Sequence, residues 1–284
     1  RFPASLTIQV DYAREKSHGD FLCNIALVLA KKLQISPRLL AEKIISNVDC
    51  SKANSKLEKI EIAGPGFINF FLKKSVWYPA IAQILTQTKE FGASKIGNNE
   101  PVLVEFVSAN PTGPLHVGHG RGAAYGDSIA RLLKTVGYRV CAEYYINDAG
   151  RQMNILATSV WLRYLEVCGE EFVFPSNAYR GAYVGEIAQQ LFSQYGKHFF
   201  KPAELVFKDI PADEPLGGNK EAHIDALILK AKTLLGVVDY EKIFNAGLTS
   251  ILLDIKEDLS AFRVNFDEWF SENSLFKIDF VDKT

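Results

Sequence analysis

The sequence lacks several features that define common protein classes. It has no run of about 18 or more uninterrupted apolar residues, as a membrane-spanning helix requires. Its first residues lack the layout of a secretory signal peptide. Internal repeats and low-complexity tracts are also missing, which argues against a repeat protein. With 48% hydrophobic and 23% charged residues, the 284-residue chain is typical of a soluble globular protein.

Cysteine is scarce and widely spaced. The chain has Cys23, Cys50, Cys141 and Cys168, with no Cys-x-x-Cys pair and no histidine or cysteine at zinc-ligand spacing. We therefore expect no bound metal in the fold. Cys23 and Cys141 lie in apolar patterns and are expected to be buried thiols. Free thiols indicate a reducing cytoplasm.

Positive and negative charges nearly balance over the whole chain, but they are unevenly distributed along it. The net charge is −1, with +5 in residues 1–100 and −6 in residues 201–284. The basic N-terminal third could contact a phosphate backbone. It is equally compatible with a solvated surface.

Hydrophobic periodicity predicts an α+β domain over residues 1–95. Alternation and helical spacing predict, in order, a strand at 5–10, helices at 20–33 and 37–47, strands at 59–63 and 66–72, and a helix at 76–91. Asp20 is a plausible N-cap or first-turn residue of the first helix. A polar linker follows.

A second domain of α/β type is predicted from residue 96 onward. Its elements are predicted as a strand at 102–107, a helix, a strand at 138–146 and a helix at 151–167. This βαβ order predicts the first half of a parallel, nucleotide-binding sheet over residues 96–170. Residues 171–263 are predicted to be a mostly helical insertion, with helices at 179–195, 220–235 and 240–262. A strand at 265–270 would begin the second half, residues 264–284.

Residues 111–121 are the most informative stretch. They read Pro-Thr-Gly-Pro-Leu-His-Val-Gly-His-Gly-Arg and join the predicted strand to the helix. The N–H groups and dipole at a helix N-terminus favour an anion such as a phosphate. His116 and His119 can donate hydrogen bonds to phosphoryl oxygens as negative charge develops there.

His-x-Gly-His after a strand resembles the first signature of class I aminoacyl-tRNA synthetases. Residues 105–115, Glu-Phe-Val-Ser-Ala-Asn-Pro-Thr-Gly-Pro-Leu, resemble the segment that leads into it in arginyl-tRNA synthetases of bacterial type. Five further segments resemble the same family. They are Glu-Tyr-Tyr-Ile-Asn-Asp-Ala-Gly-Arg-Gln at 143–152, His-Gly-Asp-Phe at 18–21, Gly-Pro-Gly-Phe-Ile-Asn at 64–69, Tyr-Arg-Gly-Ala-Tyr at 179–183 and Phe-Asp-Glu-Trp-Phe-Ser-Glu at 266–272. The resemblance extends over nearly the whole chain.

The resemblance implies a fold and an activity. The fold would be an α+β module that contacts tRNA, followed by the first half of a class I Rossmann-like catalytic domain with a helical insertion. The activity would be ATP-dependent conversion of arginine to arginyl-adenylate and transfer of the arginyl group to tRNA(Arg). ATP with Mg²⁺, arginine and tRNA(Arg) would be the partners, without a membrane, and the parent enzyme would be monomeric.

The resemblance also implies roles for single residues. His116 and His119 would be catalytic and bind the ATP phosphates, and Gly118 would let the adenine base approach the backbone. Another reading of the two histidines is that they only cap a helix, and Gly118 also suits a tight turn. Glu105, Ser108 and Asn110 would hold the substrate arginine.

Other readings of these residues remain open. Glu105 could instead pair with a local arginine, and Asn110 could be an ordinary turn residue. Asp148 could reach the same crevice or cap the next helix. Five lysines are candidate phosphate contacts to tRNA: Lys52, Lys56, Lys59, Lys73 and Lys74.

The chain departs from the family pattern in one respect. Nothing in it resembles the second class I signature, Lys-Met-Ser-Lys-Ser. We therefore expect a fragment cut at both ends that does not charge tRNA alone. Detectable arginylation by the purified chain would contradict this.

Three other functions fit part of the sequence. One is a non-catalytic RNA-binding protein derived from a synthetase, and another is a different adenylate-forming nucleotidyltransferase. The third is a dinucleotide-dependent oxidoreductase, because Gly118, Gly120 and Ala123 mimic a Gly-x-Gly-x-x-Ala fingerprint. Residues 108–117 separate that pattern from the strand, which argues against this third function.

Overall fold

A computed structural model describes residues 7–48 and 56–277. The chain divides into two compact units, residues 1–92 and residues 93–284. The first unit mixes helices with an antiparallel sheet, and the second packs helices on a parallel sheet. The predicted α/β class, with an α+β part first, is confirmed.

The first unit is built on a four-stranded antiparallel sheet. The strands lie in the order β1-β2-β4-β3. Their bounds are β1 Val10–Tyr12, β2 Phe21–Cys23, β3 Leu57–Ala63 and β4 Phe67–Leu72. The helices are α1 Ile25–Leu33, α2 Pro37–Ile45 and α3 Tyr78–Gln87. Leu29 of α1 and Leu40 of α2 pack with Ile68 of β4 in the core, which buries their apolar side chains.

Two elements of this unit differ from the sequence prediction. The strand predicted at 5–10 begins at Val10, and residues 5 and 6 lie outside the described residues. The helix predicted from Asp20 begins only at Ile25, since Phe21–Cys23 pairs as a strand with β4. Asp20 is not a cap: its carboxylate accepts a hydrogen bond from the backbone N–H of Leu72 at 2.7 Å. In this segment, pairing with β4 outweighs the helical spacing of the apolar residues.

The second unit contains a three-stranded parallel sheet in the order β5-β6-β7. The strands are β5 Pro101–Glu105, β6 Arg139–Ile146 and β7 Glu268–Ser271. Helix α4, Val117–Thr135, is the crossover between β5 and β6. The carboxyl ends of all three strands therefore lie at one edge, the ligand-binding edge of open α/β sheets.

All of the remaining helices except the last contribute to a large apolar core. They are α5 Arg151–Val167, α6 Ala182–Tyr195, α7 Ala203–Phe207, α8 Lys220–Ala261 and α9 Asn273–Lys277. Helix α5 lies at the centre, with Trp161 and Leu162 fully buried. The predicted helices 220–235 and 240–262 form the single element α8, broken at Gly236, whose φ is 71°. Among the described helices, none combines the length and apolar character needed to cross a membrane.

Candidate active site

The loop at residues 106–116, the signature loop, leaves β5 through a strained turn. Val107 has a φ of 66° and Ser108 a φ of 40°, although neither is glycine. A positive φ is unfavourable for a β-branched residue such as valine, so surrounding contacts must hold it. Ser108 supplies one of them, because its Oγ accepts a hydrogen bond from the N–H of Tyr145 at 3.1 Å.

Two tyrosine hydroxyls fix the middle of the signature loop. Tyr144 of β6 donates to the carbonyl of Ala109 at 3.0 Å, and Tyr183 of α6 donates to the carbonyl of Thr112 at 2.7 Å. Burial raises the pKa of Tyr144 to about 12, so its hydroxyl remains a donor at neutral pH. The loop is therefore held by both the sheet and the helical region.

His116 and His119 form a stacked pair at the start of α4. Their ring centroids lie 3.7 Å apart and their planes differ by 17°. His116 Nδ1 accepts from the N–H of Gly118 at 3.1 Å, and His119 Nδ1 accepts from the N–H of His116 at 3.3 Å. The histidines thus cap the helix, as the alternative reading of the sequence expects. Capping does not exclude contact with phosphate, since each ring has a second nitrogen.

The capping bonds set the protonation state of the pair. A ring nitrogen that accepts a hydrogen bond carries no proton, so a neutral ring carries it on Nε2. Partial burial lowers the pKa of His119, and the neighbouring His116 lowers it further. The His119 ring therefore favours the neutral form, with its proton on Nε2.

A prediction follows for the pH dependence of stability. The folded-state pKa of His119 lies below its ordinary value, so the unfolded chain binds more protons near pH 6.5. The stability from the neutral ring is complete above the unfolded pKa and is lost as the pH falls through the folded pKa. Between about pH 7.5 and 5.5 we expect the urea midpoint to fall more in this chain than in His119→Gln. Equal falls in both proteins would contradict this.

The three predicted arginine-binding residues occupy different settings. Glu105 ends β5, is exposed, and makes no side-chain hydrogen bond or ion pair with any described residue. The alternative pairing of Glu105 with a local arginine is therefore not seen in the described residues. Asn110 is exposed and donates through Nδ2 to Oε1 of Gln152 at 2.7 Å, which leaves its own Oδ1 open. Ser108 supports the loop, as described above.

A row of acidic residues crosses the sheet at the level of the last residue of β5 and the first residue of β7. Glu105, Glu143 and Glu268 are aligned across the three strands. Desolvation, then Glu268 and Glu105, raise the pKa of Glu143. Desolvation, then Glu272 and Glu105, raise the pKa of Tyr145. The arrangement favours a cationic ligand, because the acidic neighbours of Glu143 disfavour its ionised form.

Glu272 is a candidate that sequence reasoning missed. Its Oε2 is buried and has no hydrogen-bond partner of good geometry among the described residues, although the carboxylate interacts with the Tyr145 hydroxyl. A buried acceptor without a partner is costly, so it marks a place where a ligand donor would be stabilising. The sequence could have indicated this residue, since it is the last residue of the segment 266–272, which resembles the family.

Asp148 lies at the carboxyl edge of the sheet, where its side chain connects two strand ends. Its carboxylate accepts from the hydroxyl of Ser271 at 2.6 Å and from the N–H of Asn273 at 2.8 Å. Helix α5 begins at Arg151, and its N-cap residue Gly150 has no side-chain cap. The N-cap interpretation of Asp148 is therefore wrong. The side chain instead fastens the end of β7 to the end of β6.

Two family models match the sequence. "Arginyl tRNA synthetase N terminal domain" matches residues 2–72, and "tRNA synthetases class I (R), catalytic domain" matches residues 80–171. The chain belongs to the arginyl-tRNA synthetase family. Residues 80–171 thus match part of a class I catalytic domain, as the resemblance implied.

Curated relatives support this family membership. An arginine–tRNA ligase of Legionella pneumophila (strain Paris) is 53% identical over 97% of this chain and 46% of its own length. One from Hydrogenovibrio crunogenus is 51% identical over 97% of this chain and 47% of its own length. The chain thus spans about half the length of the curated relatives it matches.

A solved structure shows the same fold. The arginyl-tRNA synthetase of Thermus thermophilus superposes with a TM-score of 0.51 over 97% of this chain and 39% of that one. At 22% identity this likeness concerns the fold alone.

The candidate tRNA-contacting lysines lie in the first unit. Lys56 precedes β3 and Lys73 follows β4, and a backbone hydrogen bond of 2.9 Å joins them. Lys74 comes next and is exposed, whereas Lys52 lies outside the described residues. Lys59 is paired with Glu61 at 2.7 Å. The structure therefore brings Lys56, Lys73 and Lys74 to one end of the hairpin.

Gly118 offers a prediction about the histidine pair. A Cβ at this position would lie 2.9 Å from Cε1 and 3.0 Å from Nδ1 of His116. Gly118→Ala should therefore displace the His116 ring. In a protein that spans the full length of the relatives, it should lower the rate of the arginine activation proposed below by about 10²-fold, since misplacement by about 1 Å costs that much. Pyrophosphate exchange measures this rate.

Gly122→Ala is the matched control on the same helix. A Cβ there meets nothing within 4 Å. Alanine in a helix interior is favoured over glycine by roughly 0.5–1 kcal/mol, so this variant should keep its activity and gain stability. Equal activities of the two variants would contradict the packing argument.

Proposed function

We propose that this chain carries the first half of the active site of an arginine–tRNA ligase. The reaction is attack of the arginine carboxylate on the α-phosphate of ATP, which releases pyrophosphate, followed by transfer of the arginyl group to tRNA(Arg). The observation that supports this most strongly is the stacked pair of His116 and His119 at the start of α4, together with a sheet whose strands end at or just before the acidic residues Glu105, Asp148 and Glu272.

The histidine pair supplies donors for the phosphates of ATP. The Nε2–H groups of His116 and His119 would donate to phosphoryl oxygens, whose negative charge increases in the transition state. Preorganised donors of this kind stabilise the transition state more than the ground state. Gly118, which leaves space at the start of the helix, would admit the adenine base.

Mg²⁺ would accompany the ATP phosphates. No group of three or more histidine, cysteine or acidic side chains in residues 7–48 and 56–277 could hold a metal ion. Mg²⁺ usually keeps several waters and binds through substrate phosphates with few protein ligands. Its chemistry here would be neutralisation of phosphate charge.

The acidic edge would select arginine. Glu105 has no described partner and would pair with a cationic group of the substrate, through short charge-assisted hydrogen bonds. Asn110, held by Gln152, presents Oδ1 to an ammonium group. The buried Oε2 of Glu272 would accept a further hydrogen bond. Ser108 would shape this pocket by holding the strained turn.

The remaining parts would serve the RNA substrate. Residues 1–95 would contact tRNA through Lys56, Lys73, Lys74 and Lys52. Residues 96–170 and 264–284 would belong to the two halves of the catalytic domain, separated by the insertion 171–263. The enzyme would act in the cytoplasm, as the free thiols predict.

Citrulline tests the proposed arginine site. It has the shape of arginine without the positive charge. In a chain that spans the full length of the relatives, we expect pyrophosphate exchange with arginine and tRNA but not with citrulline. Glu105→Gln should lower the arginine-dependent rate by about 10²-fold, since the carboxylate pairs a cation. Exchange that is as fast with citrulline as with arginine, and as fast in Glu105→Gln as in the unchanged protein, would contradict the proposed site and favour the RNA-binding alternative.

A further inference from the structure

A cavity of about 560 Å³ opens at the break in α8, inside the second unit. It lies between the first turn of α5, the two segments of α8 that meet at Gly236, and Asn273 after β7. Gly236 has a positive φ of 71°, which only glycine adopts readily. The volume lies within the range of about 300–1,000 Å³ that is usual for small-ligand sites.

Aromatic rings supply the apolar part of the cavity. Tyr240 and Phe244 are one helical turn apart on α8, so they lie on the same face. Tyr240 is buried, and its hydroxyl donates to Oδ1 of Asn154 at 3.0 Å. Phe244 is only partly buried, packs against the core and contributes to the lining of the cavity. Stacking on an aromatic ring is the usual way to hold an unpaired base.

Polar groups surround these rings. Lys232 lies with its ammonium 5.3 Å from the centre of the Tyr240 ring. The side chains of Glu241 and Asn245 make no hydrogen bond or ion pair with any residue in the described ranges. An ammonium suits a phosphate, an amide suits the edge of a base, and a carboxylate accepts from a ribose hydroxyl. A cavity with one ammonium group, that of Lys232, and one carboxylate, that of Glu241, suits a single nucleotide better than a series of phosphates.

The cavity is tied to the carboxyl edge of the sheet. The N–H of Asn273, at its rim, donates to Asp148 at 2.8 Å, and Asp148 follows β6. Asn154, on its opposite side, donates to the carbonyl of Gly150 at 2.9 Å. A ligand there would lie beside the edge that carries Glu105 and Glu272.

We propose that this cavity holds one unpaired ribonucleotide, with its base on Phe244, its phosphate at Lys232 and a ribose hydroxyl at Glu241. The chemistry fits a free mononucleotide or a nucleotide of a single RNA strand. We assign it to an RNA strand, and this choice of source rests on the proposed function. The nucleotide site itself rests on the lining residues.

The test is direct binding of a fluorescent tetraribonucleotide to the 284-residue chain, measured by anisotropy without arginine or ATP. Phe244→Leu keeps apolar volume but removes the ring, and Lys232→Gln removes the charge. Each should weaken binding about tenfold. The control is Lys208→Gln, an exposed lysine of the same unit outside the cavity, which should change affinity less than about twofold. Thermal melts would show that each variant is folded.

The outcomes separate the possibilities. Selective weakening by the two cavity variants supports the site, and equal affinity in all four folded proteins overturns it. Competition by AMP as strong as by the unlabelled tetraribonucleotide would overturn the RNA source. A tetradeoxyribonucleotide that binds as tightly as the RNA would overturn the role of Glu241. Because the assay uses neither ATP nor arginine, its failure is distinguishable from a failure of arginine activation.

Discussion

In a protein that spans the full length of the relatives, replacing both His116 and His119 by alanine should abolish most of the proposed arginine activation. Removal of one preorganised donor to a developing oxyanion typically lowers kcat by about 10²–10³-fold. The two imidazoles are stacked 3.7 Å apart, and their Nδ1 atoms accept from the N–H groups of Gly118 and His116 in the same helix turn, so they act as a unit. We therefore expect the double variant to lose about 10³-fold in arginine-dependent pyrophosphate exchange, not the product of two separate losses.

His198→Ala is the matched control for this pair. His198 lies in the same unit and pairs with Asp239 at 3.0 Å, away from the signature loop. An exposed ion pair contributes about 0–1 kcal/mol to stability, so this variant should be folded and active. A double variant that keeps more than about a tenth of the activity would contradict the role of the histidines.

Trp161→Ala should produce the largest loss of stability. The side chain is 1% exposed at the centre of α5, and its Nε1–H donates to the carbonyl of Phe199 at 2.9 Å. Deleting a buried tryptophan costs about 3–5 kcal/mol through lost burial and the remaining cavity. The free energy of unfolding from urea titration measures this loss.

Two comparisons make the Trp161 result specific. Trp161→Phe keeps most of the buried area but leaves the Phe199 carbonyl without its donor, so we expect a smaller loss of about 1–3 kcal/mol. Trp77→Ala removes a tryptophan that is 50% exposed, and should cost less than about 1 kcal/mol. If Trp161→Ala and Trp77→Ala cost the same, α5 is not the centre of the core.

Local sequence patterns predicted much of the second unit. Helix α5 spans residues 151–167 both in the prediction and in the structure, because its apolar spacing continues without interruption. The order strand, turn, helix and parallel strand around His116 was also visible, since glycine and proline mark the turn.

Features that depend on distant partners were not visible. Strand β2 was predicted as helix, because its pairing with β4 joins residues about fifty positions apart. The hydrogen bond from Tyr183 to Thr112 crosses from α6 to the signature loop, and no local spacing indicates it. The buried oxygen of Glu272 likewise depends on how β7 packs beside β6. Long-range packing therefore decides which polar groups meet at the site.

Arginine-dependent ATP–pyrophosphate exchange tests the central claim most directly. It would be measured on a chain spanning the full length of the relatives, with and without tRNA, beside the His116→Ala and His119→Ala variants. The account predicts exchange that requires both arginine and tRNA and collapses in the variants. The absence of exchange with arginine under either condition would contradict it.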